Sequence, residues 1–292
     1  MPTTLIEPNE LAPFLARPDW AIVDCRFELT RPEWGAGAYA ESHIPGASYG
    51  HLDRDLSGPV QASTGRHPLP AREQLAATLG RWGIDRAAQG RQTQVVAYDQ
   101  GNGAYASRLW WLLRWVGHRE VAVLNGGFAA WQRAGLPVSA DSAARPPGKF
   151  VPQSSDVDFV TADELAETVA SGALTSGKAL LIDARGADRF AGENETIDPV
   201  AGHVPGARNH PFVGNVDAQG QFLPADQLRH RWLLRLGSLA ATQAISMCGS
   251  GVTACHNLLA MEVAGLAGAR LYAGSWSEWI RDPARPIARG PS

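Results

Sequence analysis

The chain has few cysteines, no basic tract and no long apolar run. Cys25, Cys248 and Cys255 are too few and too scattered for a disulfide framework or a metal site, so we expect no metal. The net charge of −3 without a basic tract argues against a nucleic-acid partner. No apolar run approaches the roughly 18 residues of a membrane span, and the first residues lack the features of a secretory signal. We therefore expect a cytoplasmic protein with no membrane partner.

Four segments of the first half recur in the same order in the second half. Residues 23–26 match 182–185, 43–47 match 203–207, 95–99 match 244–248, and 124–131 match 272–279. The offset is 159 or 160 residues for the first two pairs and 149 or 148 for the last two. A period this long indicates a duplicated domain rather than a solenoid. The change in offset places 11 extra residues in the first half, between His43 and Asp99.

The duplication predicts a first domain over residues 1–142 and a second over 159–292. Residues 143–158 are assigned to a linker, because the stretch around them is rich in small, polar and proline residues. In each half, short apolar runs such as 20–23 and 179–182 predict buried parallel strands. Helical segments alternate with these runs, so each domain is expected to be an α/β fold, a mostly parallel sheet with helices on both faces.

The segment Cys248-Gly249-Ser250-Gly251-Val252-Thr253 is the most informative in the chain. It follows a predicted strand and opens a predicted helix over residues 253–264, and functional sites of α/β folds lie at such carboxyl ends of strands. Its glycines allow successive backbone N–H groups to point inward and form an anion-binding nest. A cysteine sulfur in such a nest is expected to favour the thiolate. Cys25 and Cys255 are expected to be inert.

The loop, the paired His-(Ile/Val)-Pro-Gly-Ala segments and the duplication together resemble the rhodanese superfamily. The likeness extends over about residues 5–285 and is greatest to tandem-domain thiosulfate and 3-mercaptopyruvate sulfurtransferases. It implies that Cys248 carries sulfur as a persulfide from a small-molecule donor to cyanide, a thiol or thioredoxin, without a cofactor. It also implies a catalytically inactive first domain, where Asp99 occupies the position of Cys248.

The resemblance also implies a substrate site around the loop. The substrate would be bound by Gly249, Gly251, Val252 and Thr253. Ser250 would form a relay with a histidine and an aspartate of the first half. His67 and Asp53 match best, with Asp55 as the alternative to Asp53. Arg189 matches the family's substrate arginine, and its planar fork suits a carboxylate. Mercaptopyruvate enzymes usually have a second arginine a few residues later, where this chain has residues 193–198 instead.

The glycines and serine of the loop slightly favour mercaptopyruvate over thiosulfate, because thiosulfate enzymes typically place basic residues there. Two rival functions have different requirements. A cysteine phosphatase needs an arginine six residues after the cysteine, where this chain has Ala254. A non-catalytic, sulfur-sensing or binding module is the remaining alternative, although Cys248 in a complete loop argues against it. The residues repeated in both halves, Asp24, Arg26, Asp183, Arg185, His43 and His203, are interpreted as structural, and most tryptophans as core packing.

Overall fold

A computed structural model describes residues 1–86, 92–141, 145–155 and 157–291, which form two compact units. The first unit comprises Met1–Gly58, Leu69–Asp156 and Val216–Phe222, and the second comprises Pro59–Pro68, Val157–Asn215 and Leu223–Ser292. Each unit therefore includes a short segment from the other half of the sequence. Ser142, the predicted end of the first domain, and residues 143, 144 and 156 of the predicted linker lie outside the described residues.

The first unit is built on a five-stranded sheet in which every pairing is parallel. Its strands are β1 (Leu5–Ile6), β2 (Trp20–Asp24), β3 (Ser48–Tyr49), β4 (Gln94–Tyr98) and β5 (Val121–Leu124), in the order β1-β5-β4-β2-β3. Its helices are α1 (Pro8–Leu11), α2 (Trp34–Glu41), α3 (Arg72–Arg81), α4 (Ala106–Trp115) and α5 (Gly127–Arg133).

The second unit repeats this arrangement. Its strands are β6 (Phe159–Val160), β7 (Leu180–Asp183), β8 (Arg208–Asn209), β9 (Ala244–Met247) and β10 (Arg270–Tyr272), all parallel and in the order β6-β10-β9-β7-β8. Its helices are α6 (Ala162–Ala170), α7 (Ala187–Ala191), α8 (Ala225–Leu236), α9 (Thr253–Val263) and α10 (Ser275–Trp279). The equivalent strand orders match the duplicated sequence, and the predicted pair of parallel α/β domains is confirmed.

Both cores are built from the apolar runs and the tryptophans. Every residue of β2, β4, β7 and β9 is buried, as expected for strands in the interior of a parallel sheet. Trp131 and Trp279 occupy equivalent positions, are fully buried, and donate their indole N–H to the carbonyls of Pro137 and Pro286. Burial confirms the core-packing interpretation for these two and for Trp110, Trp111, Trp232 and Trp276.

The repeated acidic and basic residues also make equivalent contacts in the two units. Arg26 is paired with Asp24 at 2.6 Å and Arg185 with Asp183 at 2.7 Å, and all four are buried. Arg26 also donates to the carbonyl of Ser42, next to His43, and Arg185 to that of Gly202, next to His203. These contacts tie the end of a strand to the following loop, in agreement with a structural role.

Across the described ranges, no helix combines the length and apolarity that a bilayer crossing requires.

Candidate active site

Cys248 lies at the carboxyl end of β9, the central strand of the second sheet, and α9 begins five residues later. Its Sγ accepts hydrogen bonds from the backbone N–H groups of Gly251, at 3.1 Å, and Ser250, at 3.4 Å. Gly251 has a φ of +79°, and a β-carbon there would lie 2.1 Å from the carbonyl oxygen of Ala273. Only glycine therefore fits this position, which brings two N–H groups to one sulfur atom.

The first turn of α10 holds the backbone of the loop. Ser275 accepts the Cys248 N–H through Oγ at 3.0 Å and donates to the carbonyl of Tyr272 at 2.9 Å. The N–H groups of Trp276 and Ser277 donate to the carbonyls of Cys248 and Gly249, at 3.0 and 2.9 Å. Ser275 was not predicted from the sequence. It is buried and has a φ of +54°, and backbone strain in a non-glycine residue is characteristic of functional sites.

The structure brings Ser250 and His67 together, as the resemblance implies. His67 Nδ1 lies 2.7 Å from Ser250 Oγ, and both side chains are buried. The contact forms inside the second unit, because residues 59–68 belong to that unit although they lie in the first half of the sequence. Asp53 and Asp55 belong to the first unit. The Asp55 carboxylate accepts from the backbone N–H of His51 and from Arg81, whereas the part of either aspartate in a relay stays a prediction.

Arg189, on α7, is held by carboxylates rather than free at the surface. Its Nε and Nη2 donate to Glu195 at 2.9–3.1 Å, and its Nη2 also contacts Asp198 at 3.2 Å. The segment 193–198, which lacks the second arginine of mercaptopyruvate enzymes, thus supplies two partners for the first one. Burial acts to raise the pKa of Glu195, but hydrogen bonds from Arg189 and from two backbone N–H groups outweigh it and lower that pKa.

The guanidinium of Arg66 lies beside Asp198, which also pairs with Arg189, and Arg66 was not predicted from the sequence. Its Nη1 donates to Asp198, so this carboxylate joins Arg66 to Arg189. Burial raises the pKa of Asp198 in spite of the two arginines. The position of Arg66 beside His67, in the stretch between His43 and Asp99 that contains the extra residues of the first half, was the available sequence signal. Arg66 and Asp198 are separated by 132 residues, so only the fold could reveal their contact.

The remaining loop residues have simpler surroundings. Gly249 and Gly251 form the backbone of the nest, Val252 is buried, and Thr253 begins α9. Within the described chain, the sulfur receives hydrogen bonds from Ser250 and Gly251. Binding of substrate by Gly249, Gly251, Val252 and Thr253 stays a prediction.

The equivalent loop of the first unit is occupied by a carboxylate. Asp99 follows β4 and accepts four backbone N–H groups, those of Gly101 and Gly103 on Oδ1 and those of Tyr105 and Ala106 on Oδ2, at 2.8–3.3 Å. Burial raises the pKa of Asp99, and these four hydrogen bonds oppose the rise. The first unit thus has an anion-binding loop, which the carboxylate of Asp99 occupies. Sulfur transfer would need a thiol at this position.

The other two cysteines lie in settings that disfavour reaction. Cys25 is buried at the end of β2, and burial, followed by the charges of Asp24 and Asp99, raises the pKa of its thiol well above the ordinary value. Cys255 is fully buried in α9 and donates to the carbonyl of Gly251 at 3.3 Å. Among the described residues, no cluster of three or more histidine, cysteine or acidic side chains is arranged to hold a metal ion.

Comparisons with known proteins agree on one family. A family model described as "Rhodanese-like domain" matches residues 7–134 and again 161–282. The "Probable 3-mercaptopyruvate sulfurtransferase" of Pseudomonas aeruginosa is 46% identical over 288 residues, covering 98% of each chain. The thiosulfate sulfurtransferase of Gallus gallus is 34% identical over 246 residues, covering 83% of this chain and 80% of its own.

A solved structure agrees with these relatives. The 3-mercaptopyruvate sulfurtransferase from Leishmania major superposes with a TM-score of 0.79 at 32% identity, covering 95% of this chain and 74% of that one. Both halves of the sequence match the same family, and both units have the same strand order. The chain therefore belongs to the rhodanese family, with two rhodanese-like domains.

Proposed function

We propose that the protein is a sulfurtransferase in which Cys248 attacks a sulfur donor and carries the outer sulfur as a persulfide. The observation that carries the proposal is the Cys248 sulfur at the end of β9 with two backbone N–H groups directed at it. These donors stabilise negative charge on the thiolate and on the persulfide that replaces it. The sulfurtransferases among the relatives support the reaction class.

The favoured donor is 3-mercaptopyruvate. The Cys248 thiolate would attack the donor's sulfur, forming an S–S bond while the C–S bond breaks. The bonding electrons leave with pyruvate as its enolate, which then takes up a proton at carbon. In the second half-reaction an acceptor, such as cyanide, attacks the outer sulfur and departs as thiocyanate, which restores the thiolate. Neither half-reaction calls for a metal or an organic cofactor.

Ser250 and His67 are the groups that could handle the proton of this reaction. The hydroxyl and the imidazole are 2.7 Å apart, and the Ser250 N–H also contacts the nucleophilic sulfur. Asp53 is proposed to complete the relay, with Asp55 as the alternative. An enolate leaving group must be protonated, whereas sulfite, the leaving group from thiosulfate, need not be. Ser250→Ala should therefore lower kcat/KM for mercaptopyruvate about 100-fold, the lower end of general acid–base contributions, and lower it less for thiosulfate.

Thiosulfate is the second candidate donor, because the thiosulfate sulfurtransferase of Gallus gallus is similar to this chain over most of its length. Its oxygens could use the same loop and Arg189. Thioredoxin or a small thiol is the proposed acceptor in a reducing cytoplasm, on the ground that Cys25, Cys248 and Cys255 form no disulfide in the part of the chain that the structure describes.

The test is to measure thiocyanate formation from each donor with purified protein. Cys248→Ser should abolish turnover with both donors, and the matched variants Cys25→Ser and Cys255→Ser should retain it. Comparing kcat/KM for the two donors on one preparation ranks them. Normal turnover by Cys248→Ser would disprove the assignment of the nucleophile. A wild-type protein that takes up no sulfur from any donor would favour the non-catalytic alternative.

A further inference from the structure

A pocket of about 210 Å³ lies in the second unit, next to the ion pair of Arg66 and Asp198. Its walls come from three parts of the chain: residue 66 of the 59–68 segment, residues 197–199, and residues 277, 280 and 281 at the end of α10. Sites for drug-sized ligands measure roughly 300–1,000 Å³, so this smaller pocket suits a small molecule.

Two of the residues that line the pocket also border the nucleophile loop. Arg66 Nη2 would lie 2.8 Å from a β-carbon built on Gly249, the residue that follows Cys248. The N–H of Ser277 donates to the Gly249 carbonyl at 2.9 Å, and Ser277 Oγ accepts the Arg66 N–H at 3.0 Å. The pocket therefore adjoins the loop that would carry the persulfide.

Arg281 gives the pocket a positive charge that has no ion-pair partner. Its Nε donates to the carbonyl of Thr64 at 3.3 Å, which orients the guanidinium. Within the described ranges, no group accepts a hydrogen bond from its two terminal nitrogens. The other charged groups of the lining are already paired, since Asp198 contacts both Arg66 and Arg189. One cation is thus available to an anionic ligand.

The remaining walls of the pocket are largely apolar. Ile197, Pro199 and Ile280 contribute hydrocarbon, and Ile197 is 41% exposed. A short carbon chain that packs against these side chains removes apolar surface from water. Apolar walls beside a guanidinium suit an aliphatic chain that ends in a carboxylate.

We propose that this pocket is the acceptor subsite, and that it binds the carboxylate end of a small anionic thiol. The inference rests on the proposed function, because the group that the thiol attacks is the persulfide on Cys248. The acceptor thiolate forms an S–S bond to the outer sulfur, and the bond from that sulfur to Cys248 Sγ breaks. The electron pair of the broken bond stays on Cys248 as a thiolate, and the acceptor leaves as its own persulfide.

Discharge of a preloaded protein isolates this half-reaction. The protein is treated with donor, freed of the excess and mixed with an acceptor, and loss of the added sulfur is followed by intact mass. The acceptors 3-mercaptopropionate and 2-mercaptoethanol are short thiols that end in a carboxylate and a hydroxyl. Cyanide has no chain to reach the pocket. Each acceptor is compared between variant and wild type, so differences in intrinsic reactivity cancel.

Arg281→Ala should slow discharge by 3-mercaptopropionate about 3- to 5-fold, near the upper end for an exposed charge pair. Discharge by 2-mercaptoethanol and by cyanide should change by less than about 2-fold, because neither presents a carboxylate. Arg281→Glu should slow 3-mercaptopropionate about 10-fold, since repulsion replaces attraction at the same place. Arg281→Lys keeps the charge and should stay within about 2-fold of wild type.

Arg289→Ala is the matched control for loss of an exposed arginine. Arg289 also donates through Nε to a backbone carbonyl, that of Ala201, at 3.3 Å, but it does not line the pocket. This variant should discharge all three acceptors at the wild-type rate. Selective slowing of 3-mercaptopropionate by Arg289→Ala would mean that overall charge, rather than the pocket, selects the acceptor, and would overturn the proposal.

Three other results would overturn the acceptor subsite. Equal slowing of all acceptors by Arg281→Ala would show that Arg281 only supports the 59–68 segment. Unchanged discharge by 3-mercaptopropionate in both Arg281→Ala and Arg281→Glu would leave the pocket without a role. A raised KM for mercaptopyruvate with cyanide as acceptor would assign the pocket to the donor. Failure to load Cys248 at all is a different result, because it refutes the proposed function and this proposal with it.

Discussion

We predict that the hydroxyl of Ser275 holds the nucleophile loop in its active conformation. Ser275 lies in the left-handed region with a φ of +54°, accepts the buried N–H of Cys248, and donates to the carbonyl of Tyr272. Gly127 occupies the equivalent position in the first unit, with a φ of +55°. The second unit has therefore placed a side chain where the backbone favours glycine, which we attribute to the hydrogen bond with the cysteine backbone.

Two variants separate the hydrogen bond from the backbone strain. Ser275→Ala leaves a buried N–H and a carbonyl without partners, which costs about 1–3 kcal/mol, and it keeps the strain. Ser275→Gly loses the same hydrogen bonds but relieves a left-handed conformation that costs about 1–2 kcal/mol in other residues. The alanine variant should therefore be less stable than the glycine variant by about 1 kcal/mol, after allowing for the greater flexibility of glycine in the unfolded chain.

Chemical denaturation gives the stability order, and kcat/KM gives the effect on the loop. Both variants should lose about 10-fold in kcat/KM. Without Ser275 Oγ the Cys248 N–H lacks its acceptor, so the loop backbone shifts, and catalytic groups must stay within about 0.5 Å of their productive positions. A glycine variant less stable than the alanine variant would refute the argument from strain. Wild-type activity in both variants would show that the Ser275 hydroxyl does not hold the loop in its active form.

Two other predictions follow from buried groups of the first unit. Asp99→Cys should add no second persulfide, because α4 begins seven residues after Asp99 whereas α9 begins five residues after Cys248, so the two loops have different shapes; a second sulfur on the variant would contradict this. Burial lowers the pKa of His118 to about 4, below its ordinary value of 6.5, so the stability contributed by its neutral form is complete above pH 6.5 and is lost as the pH falls toward 4. Between pH 7 and pH 4 the free energy of unfolding of His118→Phe should fall by roughly 3 kcal/mol less than that of the wild type. An unchanged dependence on pH would show that His118 is not responsible.

The strands and the nucleophile could be predicted because local sequence determines them. Apolar runs such as 179–182 have no polar face and must be buried, and a cysteine between such a run and a glycine loop lies at the end of a strand. The duplication then predicted the equivalence of Asp99 and Cys248. The matching strand orders and the hydrogen bonds that both residues accept agree with it.

Contacts over long sequence separations could not be predicted in this way. Arg66 and Asp198 are 132 residues apart, and Arg66 and Ser277 are 211 apart. Charge alone does not reveal such pairs, because 26 basic and 29 acidic residues allow many combinations. The packing of residues 59–68 in the second unit decides among them. Ser275 was within reach of sequence reasoning, since alignment of the repeats places it opposite Gly127, although a serine in the left-handed region is not an expected conformation.

The most direct test of a persulfide on Cys248 is mass spectrometry of the intact protein and its peptides after treatment with donor and no acceptor. The account predicts that each chain gains one sulfur atom, that the sulfur maps to the peptide containing Cys248, and that cyanide removes it. Cys248→Ser should gain none. Sulfur on Cys25 or Cys255, or an unchanged wild-type mass with donors that are nevertheless turned over, would contradict a Cys248 persulfide.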